Sequence, residues 1–312
     1  MLKKDSAILP FPPKHSAQSQ WQADACLLTT AIIWGVNIPV VKYATQHVDA
    51  LVFNAVRLIF SVAALAVLAW FEARRRPLDR KNAPWIRMVF LAIVSGMFYP
   101  LLFMLGIKQT TAANTALLMA SMPVWTAMIS LLFIGERLPA VTWIGLLVTF
   151  IGTVIVVGAK GDLDLYDQQY LLGNLLVLGA AITWAAGTVI SRPLMRSVGP
   201  LQLALFTASL STPFQLLVAS PKIAENSPNL ILLPIICCLL FSGILSTGLA
   251  PATWNFGVQR LGGSHAAVYQ NIVTLVAVLG GWWVLGEPQL LSQWIGGALT
   301  IAGLFIMRRG RS

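Results

Sequence analysis

Trp34, Asn37, Tyr99, Phe103, Asn114, Trp184, Trp254, His265, Tyr269 and Gln270 fall inside long apolar runs. Polar and aromatic groups in such runs need partners, and they point inward rather than into hydrocarbon. Indole, phenol, amide and imidazole groups together suit a neutral or zwitterionic solute with an apolar part, held by stacking and hydrogen bonds. They do not form a bond-making constellation. The chain has no HExxH, no buried aspartate pair and no GxxxxGK[ST] loop, and Gly263-Ser264-His265 lacks a second histidine to activate the serine. Cys26 stands alone and Cys237-Cys238 are adjacent, so no metal-ligand spacing exists. An enzyme, a resident metal and a cofactor are therefore not expected.

Composition sets the solvent. Of 312 residues 57% are hydrophobic and 10% charged, and the mean hydropathy is +0.77. That leaves too little polar surface for a water-soluble globule, so a lipid bilayer is the required partner. The net charge of +10 sits in short segments between apolar runs and forms no basic domain, which argues against nucleic acid. A bilayer core of about 30 Å needs roughly 20 apolar residues per helix. Such runs lie near 25–44, 49–70, 86–107, 111–132, 139–158, 171–191, 199–219, 230–254, 264–285 and 291–307. The expected fold is all-α, with ten transmembrane helices.

Lysine and arginine orient it. With the N-terminus inside, sixteen basic residues fall in cytoplasmic segments, against Lys42, Lys108, Lys160 and Lys222 outside; Arg57 lies within a span. Both termini are expected in the cytoplasm. Residues 1–24 read as a cytoplasmic tail without a cleavable signal, 25–158 as one five-helix unit, 159–170 as an external linker and 171–309 as a second unit.

The two units are related. A shift of 151 residues superposes Gly135-Glu136 on Gly286-Glu287, Trp143-Ile144-Gly145 on Trp294-Ile295-Gly296, Thr149 on Thr300 and Gly152 on Gly303. It also sets Pro100 on Pro251, Gly106 on Gly257 and Phe103 on Trp254, while a shift of 150 sets Trp34 on Trp184. Five is odd, so the second unit enters the membrane from the opposite side, and the repeats are inverted about an axis in the membrane plane. Exchanging the conformations of such halves turns an outward-open cavity into an inward-open one.

The ordered set Trp34-Gly35-Val36-Asn37, Lys42-Tyr43-Ala44, Arg57, Gly135-Glu136 and Gly286-Glu287 resembles the drug/metabolite transporter superfamily, and within it the ten-helix EamA-type exporters. The likeness covers about residues 25–307. It implies a basket-like bundle around a central cavity and export of amino acids or other metabolites from a bacterial inner membrane. It fixes the class of cargo more firmly than the cargo, for which amino acids with aromatic or bulky neutral side chains lead and other drugs or metabolites follow. The oligomeric state stays open, and a monomer is compatible with it.

Helical phasing assigns the candidates. Positions i, i+4, i+7 and i+11 share a face, so Thr30, Trp34 and Asn37 face together, as do Asn114, Ser121 and Trp125. The tryptophans also fit an anchoring role, and His265 also fits a structural one near a helix end. Pro100 and Pro251 free backbone carbonyls at midspan, which suits a cavity lining or a gate. Arg57 and Lys42 are read as gating or structural, like Glu136 and Glu287, and Arg57 must snorkel or pair. Gly145, Gly152, Gly296 and Gly303 read as close-packing stripes. No carboxylate is expected at the middle of a span, which argues against a small-multidrug-type proton antiporter.

Overall fold

The computed structural model describes residues 17–107, 109–110, 118–119, 121–135, 139–158, 168–262, 265–266, 268–285 and 291–309. Their regular structure is all helical, in ten segments of thirteen residues or more: α1 (Ala17–Thr45), α2 (Ala50–Arg75), α3 (Trp85–Ile107), α4 (Met122–Ile134), α5 (Ala140–Gly158), α6 (Gln168–Leu194), α7 (Pro200–Leu230), α8 (Leu233–Leu261), α9 (Gln270–Leu285) and α10 (Leu291–Arg309). Six of them, α1, α2, α3, α6, α7 and α8, are long and apolar enough to cross a membrane. Large apolar side chains such as Ile86, Phe133, Leu217 and Leu233 cover the exterior. This is the inverse of a water-soluble surface, and it places the chain in a membrane.

Helix ends differ from the apolar runs in an informative way. The α1 helix starts at Ala17, not near residue 25, and α7 runs on to Leu230, not residue 219. Hydropathy sees the hydrocarbon-matched stretch only, whereas polar helix formers such as Gln18, Gln20 and Gln22 prolong the helix beyond it. Asp24 consequently lies inside α1.

The halves are interleaved. Helix α1 packs on α8 and α9, and its counterpart α6 packs on α3 and α4; α2 meets α7, and α5 meets α10. Each of these contacts joins one half to the other. The symmetry reaches single residues. A Cβ at Gly106 of α3 would lie 2.8 Å from a methyl of Val177 on α6, and one at Gly257 of α8 would lie 2.4 Å from Leu27 on α1. In the α5–α10 seam, a Cβ at Gly152 would lie 2.6 Å from the Gly296 carbonyl, and one at Gly303 would lie 2.8 Å from the Gly145 carbonyl. Backbones approach this closely only where glycine stands, as the sequence stripes require.

Two helices share a defect. Helix α3 widens to a π-helix over Ala92–Phe98, and α8 does so over Phe241–Leu249. Each widened stretch ends just before the repeat-related proline, Pro100 or Pro251. A proline contributes no N–H, and a turn of π-helix absorbs the lost register within an otherwise helical span. Each π stretch packs on helices of the other half. That of α3 packs on α6 and α7, and that of α8 on α1 and α2.

Candidate functional site

The broken helices and the two first helices bring five rings together. Trp34 (α1) and Trp184 (α6), related by the repeat, meet edge to face with centroids 5.2 Å apart. Trp254 (α8) lies 5.5 Å from Trp34 and 6.3 Å from Trp184. Tyr99 (α3) lies 4.9 Å from Trp184 and 6.1 Å from Phe103, stacked on the latter. These separations fall in the range of favourable aromatic pairs. Four of the rings remain half-buried, and Trp254 is 3% exposed. The patch is therefore one cluster built from two helices of each half, not a set of separate headgroup anchors.

Its polar groups are unequal. The indole Nε1 of Trp34 donates to the Ser246 carbonyl at 2.9 Å, inside the α8 π stretch. The Nε1 groups of Trp184 and Trp254 are buried without a partner, as is Oδ1 of half-buried Asn37. Buried unpaired donors are rare and call for a reason. Below this patch, Thr30 and Thr253 join their hydroxyls at 2.8 Å, tying α1 to α8.

Beside the rings runs a polar relay. Arg57 of α2 donates from Nε and Nη2 to Asn54 Oδ1, at 3.2 and 2.8 Å, and from Nη1 to Ser242 Oγ at 2.9 Å. The side-chain amide of Asn54 donates to Gln215 Oε1 at 3.3 Å. Gln215 of α7 in turn donates to the Gly96 and Met97 carbonyls at 3.1 and 3.3 Å, within the α3 π stretch. One chain of side chains thus joins the π stretch of α8 to that of α3. Asn54 and Gln215 are almost inaccessible, and Arg57 is half-buried. Arg57 neither snorkels out nor finds a carboxylate: its hydrogen-bond partners are neutral.

Toward one end of the bundle, Tyr269 Oη donates to Asp24 Oδ1, and both residues are buried. The carboxylate thus lies inside the fold, not in a solvated helix end. Near it, Gln270 is buried with Nε2 unpartnered, and His265 is half-buried just before α9. The ends of α2 and α7 are pinned to the opposite half in matching fashion. At one end Asp49 pairs with Lys222 at 2.8 Å, and its N–H donates to Asn226. At the other end Glu72 accepts from the Gln202 N–H at 2.9 Å, while Arg76 donates to the Met195 and Arg196 carbonyls.

Trp34, Tyr99, Phe103, Trp184 and Trp254 are thus assembled as the phasing requires. Pro100 and Pro251 terminate the two π stretches. Tyr269 is held by Asp24. Asn114, Glu136 and Glu287 lie outside the described residues, and Lys42 is described only as part of the α1 helix. Asn54, Gln215, Ser242 and the inward-facing Asp24 are not among the candidates that the sequence marks. The spacing of Asn54 and Arg57, three apart on an apolar helix, was the available signal.

The EamA-like transporter family matches the chain twice, over residues 21–158 and 171–309, once per repeat. An uncharacterized transporter of Archaeoglobus fulgidus is 26% identical, covering 90% of this chain and 95% of the relative. The uncharacterized transporter YoaV of Bacillus subtilis is 22% identical over 90% of this chain and 94% of its own. A protein of Streptantibioticus cattleyicolor named "probable terminal-alkyne amino-acid exporter" is 24% identical, over 91% and 92%. One crystal structure, 22% identical, superposes with a TM-score of 0.73 over 92% of this chain and 98% of the other, which shows a shared fold. Two tandem matches that together take in nearly every residue, on two interleaved five-helix halves, make this chain a membrane transporter of the EamA-like family.

Proposed function

We propose that the protein exports small zwitterionic metabolites, amino acids with apolar or aromatic side chains foremost, by alternating access, with both termini on the cytoplasmic side. The observation that carries this reading is the five-ring wall. It is built from α1 and α3 of one half and α6 and α8 of the other, so a rocking of the halves reshapes it directly. Indole and phenol faces suit an apolar side chain, and the unpartnered indole N–H groups of Trp184 and Trp254 suit a polar head. The kinship with an amino-acid exporter by name points the same way.

Among the described residues, Asp24 is the buried carboxylate of this region, and it is engaged by Tyr269 at an end of α1. Facilitated diffusion or exchange therefore fits the site better than obligatory proton coupling through a midplane acid. The test is efflux from proteoliposomes loaded with a panel of labelled amino acids, aromatic first, then aliphatic. Efflux above that of empty liposomes, reduced at least about tenfold by Trp184→Ala, is expected, the ratio corresponding to about 1.4 kcal/mol of lost transition-state interaction. Efflux of no panel member by folded protein contradicts the reading, and efflux strictly dependent on a pH gradient contradicts the coupling.

A further inference from the structure

We infer that Arg57 is the anchor for the carboxylate of the transported solute, set at the Tyr99 end of the ring wall; this rests on the amino-acid reading above. A guanidinium held away from water is costly unless its charge is answered, and more so within a bilayer. The usual answer is a carboxylate. Arg57 has instead the Asn54 amide oxygen and the Ser242 hydroxyl, with the Phe53 ring centroid 5.9 Å away. Each of these is neutral, so the positive charge persists in the interior.

Geometry adds what charge alone leaves open. A guanidinium has five N–H donors, and the three hydrogen bonds use one on each nitrogen. Two donors remain, one on each terminal nitrogen, which is the number a bidentate carboxylate takes. The head is already oriented, because Asn54 is fixed by Gln215 and Ser242 sits in the π stretch of α8. Preorganised donors of this kind lose little entropy on capturing an anion.

Arg57 donates to Ser242, four residues before Ser246, whose carbonyl takes the Trp34 indole N–H, and its partner Asn54 is held by Gln215, which reaches the Gly96 and Met97 carbonyls just before Tyr99. Tyr99 in turn contacts Trp184, and Trp184 contacts Trp254, a 97%-buried side chain whose N–H has no partner. A solute with its carboxylate on Arg57 lays its apolar part along the rings. The repeat supplies no second arginine: Ala208 stands 151 residues on. Among the described residues the site therefore has one cationic pole, which a single carboxylate satisfies and a pair of anions would not.

The test separates anchoring from scaffolding. In proteoliposomes, the panel amino acid that counterflows best, L-phenylalanine first, is competed by its own unlabelled form and by its amide, which keeps the side chain and amine but loses the carboxylate charge. For wild type the amide should compete about 10–100-fold more weakly, the range for one charged hydrogen-bonding contact of about 1.5–3 kcal/mol. Arg57→Gln should bring that ratio to within about threefold, and Arg57→Lys, which keeps the charge without the fork, should fall between. A merely structural arginine lowers both affinities and leaves the ratio alone. Equal competition by amide and acid in the wild type, or an unchanged ratio in either variant, overturns the assignment while leaving amino-acid transport standing. Counterflow of no panel member overturns both. If Arg57→Gln does not fold, the wild-type ratio and the lysine variant still decide.

Discussion

Helices α3 and α8 are the same device built twice, yet they are wired differently. Both open into a π-helix, over Ala92–Phe98 and Phe241–Leu249, both close it at a proline, and both bury a glycine, Gly106 or Gly257, against the first helix of the other half. The carbonyls exposed by the α3 break are met by the Gln215 amide from α7. Those of the α8 break are met by the Trp34 indole from α1, and the Ser242 hydroxyl within it receives Arg57 from α2. Under the alternating access proposed above, backbone geometry has to be duplicated, because exchange of the halves' conformations demands equal shapes. Polar side chains need no duplication, and the single carboxylate of the proposed solute calls for one cationic pole.

The duplicated part is the more fragile. Gly152→Leu and Gly303→Leu each drive a side chain into the backbone of the facing helix, 2.6 to 2.8 Å away. Overpacking of that kind typically costs 1–3 kcal/mol or more when backbone must move. Both variants should lose the monodisperse peak in size-exclusion chromatography in detergent, and to a similar degree. A tolerant site on one side and an intolerant one on the other would break the symmetry.

Next in size is Gln215→Leu, which strips partners from the Gly96 and Met97 carbonyls and from the Asn54 amide together. A loss of about 1–3 kcal/mol is expected for the buried groups left unpaired, seen as a lower thermal unfolding midpoint in detergent.

The paired tryptophans sharpen the contrast further. Trp34→Phe removes the donor to the Ser246 carbonyl and should cost about 1 kcal/mol, whereas Trp184→Phe removes a donor that has no partner and should cost less than half of that. Equal losses would mean that the two indoles are not wired differently. Smallest is Lys222→Ala, whose partner Asp49 keeps its bond to the Leu51 N–H. Solvent screens this pair, and neither the unfolding midpoint nor efflux should move measurably.

The fold was readable because it is periodic at two scales. Apolar runs of bilayer length gave the helices, and the 151-residue repeat gave their arrangement, so that Gly152 with Gly303 and Pro100 with Pro251 find their partners by arithmetic alone. The rings were readable for the same reason, since Trp34, Tyr99, Trp184 and Trp254 project from repeat-related faces. The relay through Asn54, Arg57, Gln215 and Ser242 was not. It joins α2, α7 and α8 at positions without repeat counterparts, and the packing of α2 on both α7 and the α8 break brings them together. Asp24 was misjudged because hydropathy ends the helix where the hydrocarbon ends, while α1 continues to Ala17.

The central claim is that one pocket between interleaved halves faces each compartment in turn. Counterflow tests it most directly: proteoliposomes preloaded with unlabelled amino acid take up labelled amino acid from outside. The account predicts uptake that saturates and is accelerated by internal solute, because a loaded site returns in the opposite facing. Uptake that rises linearly with concentration and ignores internal solute would describe a channel, and it would contradict alternating access.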